Sequence, residues 1–351
     1  MSNALSFAPR LLAWFDQHGR HDLPWQHPRS AYRVWLSEIM LQQTQVQTVI
    51  PYFGRFISAL PDLPALARAS PDEVMALWSG LGYYARARNL HAAAQRCMEH
   101  HGGELPTDLD ALIALPGIGR STAGAILSQA HGLPLPILDG NVKRVLTRWR
   151  GIEGWPGASA VERDLWQLAQ SLLPDQRLPD YTQAQMDLGA TVCTRADPAC
   201  LVCPIHDDCI ARRDNRTAEL PTSKPGKTIP RRECAMLVAF DDAGRVLLQK
   251  RDDPGVWNGL WSLPEAPDAD ALDTFTQRHL HTPDDAQALP AFEHVFSHYR
   301  LGIHPHRHDG VKERLHVADN GLELRWAAPE ELPDIGLPAP VRKLLSSQRP
   351  R

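Results

Sequence analysis

The chain has 351 residues, of which 43% are hydrophobic and 22% charged, and its formal net charge is −4. This is a globular composition with enough length for two cores, and its slight acidity excludes a generally basic surface as the means of holding polyanions. No run approaches about eighteen uninterrupted apolar residues and the N-terminus lacks a signal-peptide hydrophobic region, so the expectation is a cytoplasmic protein with no membrane partner.

Residues up to about 220 read as helical. Apolar positions recur with the helical period over 31–41, 45–59, 72–79, 107–115, 121–130 and 141–149, separated by Pro- and Gly-rich punctuation. Thr107-x-x-Asp110 predicts the cap of one helix. Asp139 stands at the start of another, whose apolar positions Val142, Val145, Leu146 and Trp149 fall at i, i+3, i+4 and i+7. Residues 214–230 are polar, Pro-containing and aperiodic, which is how a linker reads. Beyond them the texture changes. Glu233–Phe240 and Arg245–Arg251 are β-rich runs around a hairpin signal at Asp241–Gly244, Leu322–Trp326 is a further strand, and Ala339–Leu345 a closing helix. The expected fold class is therefore multidomain: an all-α domain over 1–213, a linker over 214–230, and an α+β domain over 231–351. Lys and Arg balance Asp and Glu at 22 each up to residue 228, and stand 15 against 19 after it, so neither part is basic.

Four of the six cysteines crowd into one loop as Cys193, Cys200, Cys203 and Cys209, with spacing C-x6-C-x2-C-x5-C. Without a secretory signal such a cluster points to metal rather than to disulfides. Buried free thiols, a tetrahedral zinc and a [4Fe–4S] cube are all compatible with four such residues, although a zinc ribbon usually has two C-x2-C knuckles and this loop has one. Cys97 and Cys234 stand alone and read as core residues.

Leu115-Pro-Gly117-Ile-Gly119 is a tight turn at a helix start. It reads either as a plain interhelical turn or as a set of exposed backbone N–H groups able to hold a phosphate. Asp139 reads as an N-cap that the helix end should keep ionised, and an anion fixed there could stabilise a glycosyl cation. Glu38 is flanked by Val34, Trp35, Leu36, Ile39 and Met40. It is either a glutamate on a wet helix face or a carboxyl whose apolar setting raises its pKa enough for it to serve as a general acid.

The hairpin, the aspartate and the cysteine loop, in this order, resemble the helix–hairpin–helix DNA glycosylase superfamily over roughly residues 20–215, and the cysteine spacing is similar to the loop of endonuclease III and its relatives. The stretch SEIMLQQTQVQTVIPYF, residues 37–53, resembles the signature of the adenine DNA glycosylases of the MutY type. The resemblance implies one [4Fe–4S] cluster held by the four loop cysteines, and base excision repair of adenine opposite 8-oxoguanine or guanine in double-stranded DNA by a monomer. It gives Glu38 the role of acid on an adenine ring nitrogen and Asp139 that of stabiliser, with Asn141 near the sugar. Gln43, Thr44, Leu81 and Tyr83 match residues that wedge into the duplex, Trp25 and Gln183 match the adenine pocket, and Gly117, Gly119 and Ser121 belong to the DNA-holding hairpin. Ser121 stands where glycosylases that also cut the backbone carry a Schiff-base lysine, so the reaction should be hydrolysis alone. Two departures are Ser121, where some relatives have tyrosine, and His21, where some have a basic residue.

The second domain resembles a Nudix fold, but its helix segment from Asp268 lacks the paired glutamates of a working Nudix box. That argues for a reader domain, with Phe296-Ser297-His298 matching the tip that touches oxidised guanine. His304, His306 and His308 read as exposed loop histidines. An endonuclease III-like lyase or a uracil/thymine mismatch glycosylase is disfavoured by Ser121 and by the second domain. A non-catalytic damage binder is disfavoured by the presence of both Glu38 and Asp139.

Overall fold

The computed structural model describes residues 6–226, 229–252, 255–314 and 322–348. They divide into two compact units: Met1–Ala67 with Ala92–Gly226, and Arg68–His91 with Lys227–Arg351. Among the described residues no helix is long and apolar enough to cross a membrane.

The helices up to the cysteine loop are α1 (Phe7–His18), α2 (Ala31–Leu41), α3 (Val46–Ala59), α4 (Leu63–Arg68), α5 (Pro71–Trp78), α6 (Ala85–His100), α7 (Leu109–Ile113), α8 (Arg120–His131), α9 (Gly140–Arg150), α10 (Ser159–Ser171) and α11 (Leu178–Asp187), and α12 (Ile210–Arg213) follows the loop. Their limits follow local chemistry. The Ser30 side chain accepts from the Arg33 N–H at the start of α2, and α9 runs from the Asp139 cap to Gly151, which terminates it in the left-handed conformation (φ 62°). The cap of α7 is Asp108, which accepts from the Ala111 N–H at 2.9 Å, and not the expected Thr107. A cap must be the extended residue directly before the first helical one, and Thr107 lies one position too early.

The periodic stripe of α9 makes the core of the first unit. Val142, Val145, Leu146 and Trp149 are buried against Phe7, Leu11 and Phe15 of α1, with the Phe7 and Trp149 rings 4.6 Å apart. Burial of each such side chain stabilises the unit by about 1.5–3 kcal/mol. Two glycines let other elements come close to this helix. A Cβ on Gly189, in the π-turn that ends α11, would lie 2.6 Å from Asn141 Cβ, and one on Gly124 of α8 would lie 2.4 Å from the Pro136 carbonyl oxygen.

Residues 68–91, which precede the linker, pack with the C-terminal part. The strands are β1 (Arg231–Ala239), β2 (Val246–Lys250), β3 (Trp261–Ser262), β4 (Glu265–Ala266), β5 (Leu280–His281), β6 (Gln287–Ala288), β7 (Phe292–Val295), β8 (Arg300–His308), β9 (Lys312–Glu313) and β10 (Leu324–Ala327), with helices α13 (Ala269–His279) and α14 (Ala339–Ser347). The expected turn at Asp241–Gly244 forms, closed by the Asp241 N–H donating to the Arg245 carbonyl at 3.0 Å. Its arms then part. β1 pairs in parallel with β8 over its whole length, while β2 joins β10 and β3 in another sheet. The continuous buried run Cys234–Phe240 accounts for this, since a strand covered on both faces belongs in a sheet interior. His304, His306 and His308 lie on β8 and not in a loop. His304 is exposed and meets Glu233 at 3.0 Å, whereas His308 is buried.

Because Gly124 faces backbone, a Gly124→Ala change should destabilise the protein by about 1–3 kcal/mol, the usual penalty of overpacking. Thermal unfolding followed by circular dichroism measures this, and an unchanged midpoint would mean that the 136–139 segment yields freely.

Candidate active site

Glu38 lies on α2 where that helix packs on α8, and the Gln129 amide approaches its carboxyl at 3.5 Å. Val34, Trp35, Leu36, Ile39 and Met40 around it are buried. Burial and the negative field of Asp139 push the Glu38 carboxyl up to about 8, with Gln129 opposing. The apolar reading of its helix face is the right one.

Asp139 accepts from the Val142 N–H at 2.7 Å, as an N-cap does. Its segment is fixed from two sides. The Ser121 hydroxyl accepts from the Leu138 N–H at 2.9 Å, and Gly124 admits Pro136. Ser121, whose type gave no role by itself, thus anchors the residue before the carboxylate. The helix end favours the Asp139 anion as expected, but burial opposes it. Burial pushes its pKa above the usual carboxylate range, against the N–H groups of Val142 and Asn141 and the charges of Arg144 and Lys143. Since those partners all favour the anion, and Glu38 has one amide, the proton belongs on Glu38 and the negative charge on Asp139.

Asn141 is held through Arg144, whose guanidinium donates to Asn141 Oδ1 (2.8 Å), to the Gly189 carbonyl (2.7 Å) and to the Cys193 carbonyl (2.8 Å). One turn on, buried Arg148 donates to the carbonyls of Thr194 (2.6 Å), Arg195 (2.9 Å) and Leu220 (2.8 Å), and approaches Cys193 Sγ at 3.5 Å. Neither arginine was singled out from sequence. The available signal was their spacing from Asn141, i, i+3 and i+7, which puts all three on one face of α9.

Cys193, Cys200, Cys203 and Cys209 are unpaired and line one pocket with Trp149 and Ile205. Burial, together with the other three sulphurs, pushes the Cys203 thiol up to about 12. Four half-buried thiols on one pocket need a cation to be held together as thiolates. Among the described residues no three His, Cys, Asp or Glu side chains converge as a single ion requires. Four thiols on one pocket have the chemistry to ligate a metal-bearing group as thiolates.

The remaining expected residues fall into separate places. Trp25 is buried edge-on against Phe53, with centroids 5.4 Å apart. Gln183 is buried, its amide donating to Asp187 at 2.8 Å while its Oε1 has no hydrogen-bond partner among the described residues. Asp187, also missed from sequence, receives the backbone N–H (2.7 Å) and guanidinium (2.6 Å) of Arg20. His21 turns to the Phe15 carbonyl at 2.9 Å. Gly117 takes φ 77°, and Gly119 caps α8 with no side chain over the first-turn N–H groups.

Of the expected wedge residues, Gln43 (φ 56°) and Tyr83 (φ 50°) are exposed and left-handed, a strained state for side chains of their kind. Thr44 is half-buried beside Gln43, and Leu81 is buried rather than projecting. Phe296, Ser297 and His298 form the tip between β7 and β8, closed by the Phe296 N–H donating to the Tyr299 carbonyl at 2.9 Å. Phe296 packs on His294 and Tyr299, each 4.6 Å away between ring centroids.

Residues 36–171 match the HhH-GPD superfamily base excision DNA repair protein family, and residues 235–347 match the NUDIX domain family. An adenine DNA glycosylase of Buchnera aphidicola subsp. Acyrthosiphon pisum is 36% identical over 97% of both chains. The chain belongs to the adenine DNA glycosylase family. The mouse adenine DNA glycosylase is 37% identical over 86% of this chain and 70% of its own. Among solved structures, a thermostable thymine-DNA glycosylase aligns with TM-score 0.55 at 25% identity, over 61% of this chain and 98% of its own. A non-covalent endonuclease III–DNA complex aligns with TM-score 0.53 at 20% identity, over 61% of this chain and 97% of that one, and supports the fold. This family member is therefore a base excision repair glycosylase with the expected helix–hairpin–helix and Nudix-like architecture.

Replacing Arg148 by Met should leave buried carbonyls without donors and cost about 2–4 kcal/mol. The expected outcome is a lower unfolding midpoint and faster tryptic cleavage after Arg195, read by mass spectrometry of timed digests. Equal cleavage in both proteins would mean that the loop does not depend on Arg148.

Proposed function

We propose that this enzyme hydrolyses the N-glycosidic bond of adenine mispaired with 8-oxoguanine or guanine in double-stranded DNA. The observation that carries the reading is the half-buried pair of Glu38 and Asp139, whose surroundings divide acid from anion. The extruded adenine brings a ring nitrogen to the Glu38 carboxyl, which gives up its proton as the bond to C1′ breaks and its electron pair leaves with the base. Asp139 balances the positive charge that develops on the sugar. Water then adds at C1′, and its proton returns to the Glu38 carboxylate. Asn141, fixed by Arg144, orients the sugar. The unpartnered Oε1 of Gln183 suits the exocyclic amine of adenine. Backbone cleavage by imine chemistry is disfavoured because the Ser121 hydroxyl offers no amine and is already engaged by Leu138.

On the DNA side, the first-turn N–H groups beyond Gly119 suit a phosphate, and the strained, exposed Gln43 and Tyr83 suit residues that fill the space a flipped base leaves. The tip Phe296–Ser297–His298 is assigned to the base opposite adenine. Cys193, Cys200, Cys203 and Cys209 would hold a [4Fe–4S] cluster, which supplies a fixed, charged cross-link of the loop.

Because Glu38 must be protonated to act, excision should be retained at neutral pH and fall as pH rises through about 8. Glu38→Gln should lower the single-turnover rate by at least about 100-fold while leaving mispair binding in place. A wild-type rate in that variant removes Glu38 from the mechanism. Protein purified without oxygen should carry about four irons per chain, measured by metal analysis beside the visible absorption of the cluster. Stoichiometric zinc in place of iron would overturn the cluster assignment.

A further inference from the structure

The loop that carries Tyr83 belongs to the same compact unit as the C-terminal domain, and the contacts that fix it come from that domain. The Ser79 and Tyr84 hydroxyls both donate to the Leu337 carbonyl, at 3.2 and 3.1 Å. Arg342 on α14 donates to Ser79 Oγ (3.0 Å) and to the carbonyls of Ile335 (2.8 Å) and Leu332 (3.0 Å), so it ties the chain before the loop to the segment that receives it. Arg88, just beyond the loop, donates to the Asn258 carbonyl at 2.5 Å, and Lys250 pairs with Asp72.

Inside the loop Arg86 lies over the Trp78 and Tyr83 rings, 5.4 and 5.5 Å from their centroids, and donates to the Gly82 carbonyl at 3.2 Å. Trp78 Nε1 donates to the same carbonyl at 3.2 Å. The product is one exposed aromatic ring, 50% accessible, on a left-handed residue between rigid supports. Such strain persists only where the surroundings over-determine it.

We infer that the C-terminal domain, through Arg342 and the Leu337 carbonyl, is the positioning element of the loop that presents Tyr83 to the duplex. This rests on the reading of Tyr83 as a residue that fills the stack. It gives the domain a second task beside reading the opposite base, and makes base extrusion depend on it for every mispair. Truncation after the linker would remove Leu337 and Arg342 together and so impair excision on every mispair.

The test uses the full chain. Tyr83→Ala, Arg342→Met, Arg342→Lys and Tyr84→Phe are compared with wild type on duplexes holding a non-hydrolysable 2′-fluorinated adenosine opposite guanine or 8-oxoguanine. A neighbouring 2-aminopurine reports unstacking by its fluorescence, and cleavable duplexes give single-turnover rates. Arg342→Met should lower the fluorescence rise and slow excision by about fivefold to thirtyfold, the effect of one or two lost hydrogen bonds. The factor should be similar for both mispairs, so the ratio of their affinities is kept. Arg342→Lys, which retains donors, should recover part of the loss, and Tyr84→Phe should show a smaller loss of the same kind. Wild-type extrusion in Arg342→Met and Tyr84→Phe, with Tyr83→Ala impaired, overturns the coupling alone. Wild-type extrusion in Tyr83→Ala overturns the stack-filling reading and the coupling with it. If Arg342→Met does not fold, Tyr84→Phe, which loses only a hydroxyl, decides.

Discussion

Two carboxyl groups share one poorly hydrated site, and most of the helical unit is arranged to keep them unequal. A pair of buried acids left to itself would hold a proton between them with no fixed assignment. Here the N–H groups at the start of α9 and the charges of Lys143 and Arg144 collect on Asp139, while Glu38 faces apolar side chains and one amide. The asymmetry depends on where Asp139 sits relative to these groups. That explains why its segment is tied by the Ser121 hydroxyl on one side and admitted by the missing side chain of Gly124 on the other.

The same helix carries this order outward. Its apolar stripe builds the core with α1, its first residues serve the carboxylate, and its polar face, through Arg144 and Arg148, holds the backbone of the cysteine loop. A guanidinium with several fixed donors can bind carbonyls of distant segments at once, where a lysine would supply one point charge. The cysteine loop is therefore continuous, in hydrogen bonds, with Asn141. Distortion of the loop has a physical route to Asn141 through Arg144, with no change in the carboxyl groups themselves.

In the second unit the Nudix-like frame serves as a support. Phe296 packs on His294 and Tyr299, and the Leu337 carbonyl receives the hydroxyl of Tyr84 beside Tyr83. Both segments present a few exposed residues from a rigid frame, which lowers the ordering cost of any contact they make.

Much of this was legible in the chain itself. The period of the apolar residues placed the helices, the cysteine spacing marked the loop, and the run around Glu38 disclosed a carboxyl in apolar surroundings, because each of these depends on neighbours in sequence. The Asp139 pKa could not be read that way, since the dipole of its own helix is local but its burial under other elements is not. Nor could the parting of β1 from β2, the burial of Leu81, or the roles of Ser121, Arg144, Arg148 and Asp187, whose partners lie many residues away. The domain boundary shows the difference most plainly. Composition changes at the linker because the chain there is exposed, but residues 68–91 join the C-terminal unit through contacts such as those of Ser79 and Tyr84 with Leu337. Only the folded chain brings those carbonyls and hydroxyls within reach of one another, so the sequence determined the local elements and the chemistry they carry, and tertiary packing decided which of them act together.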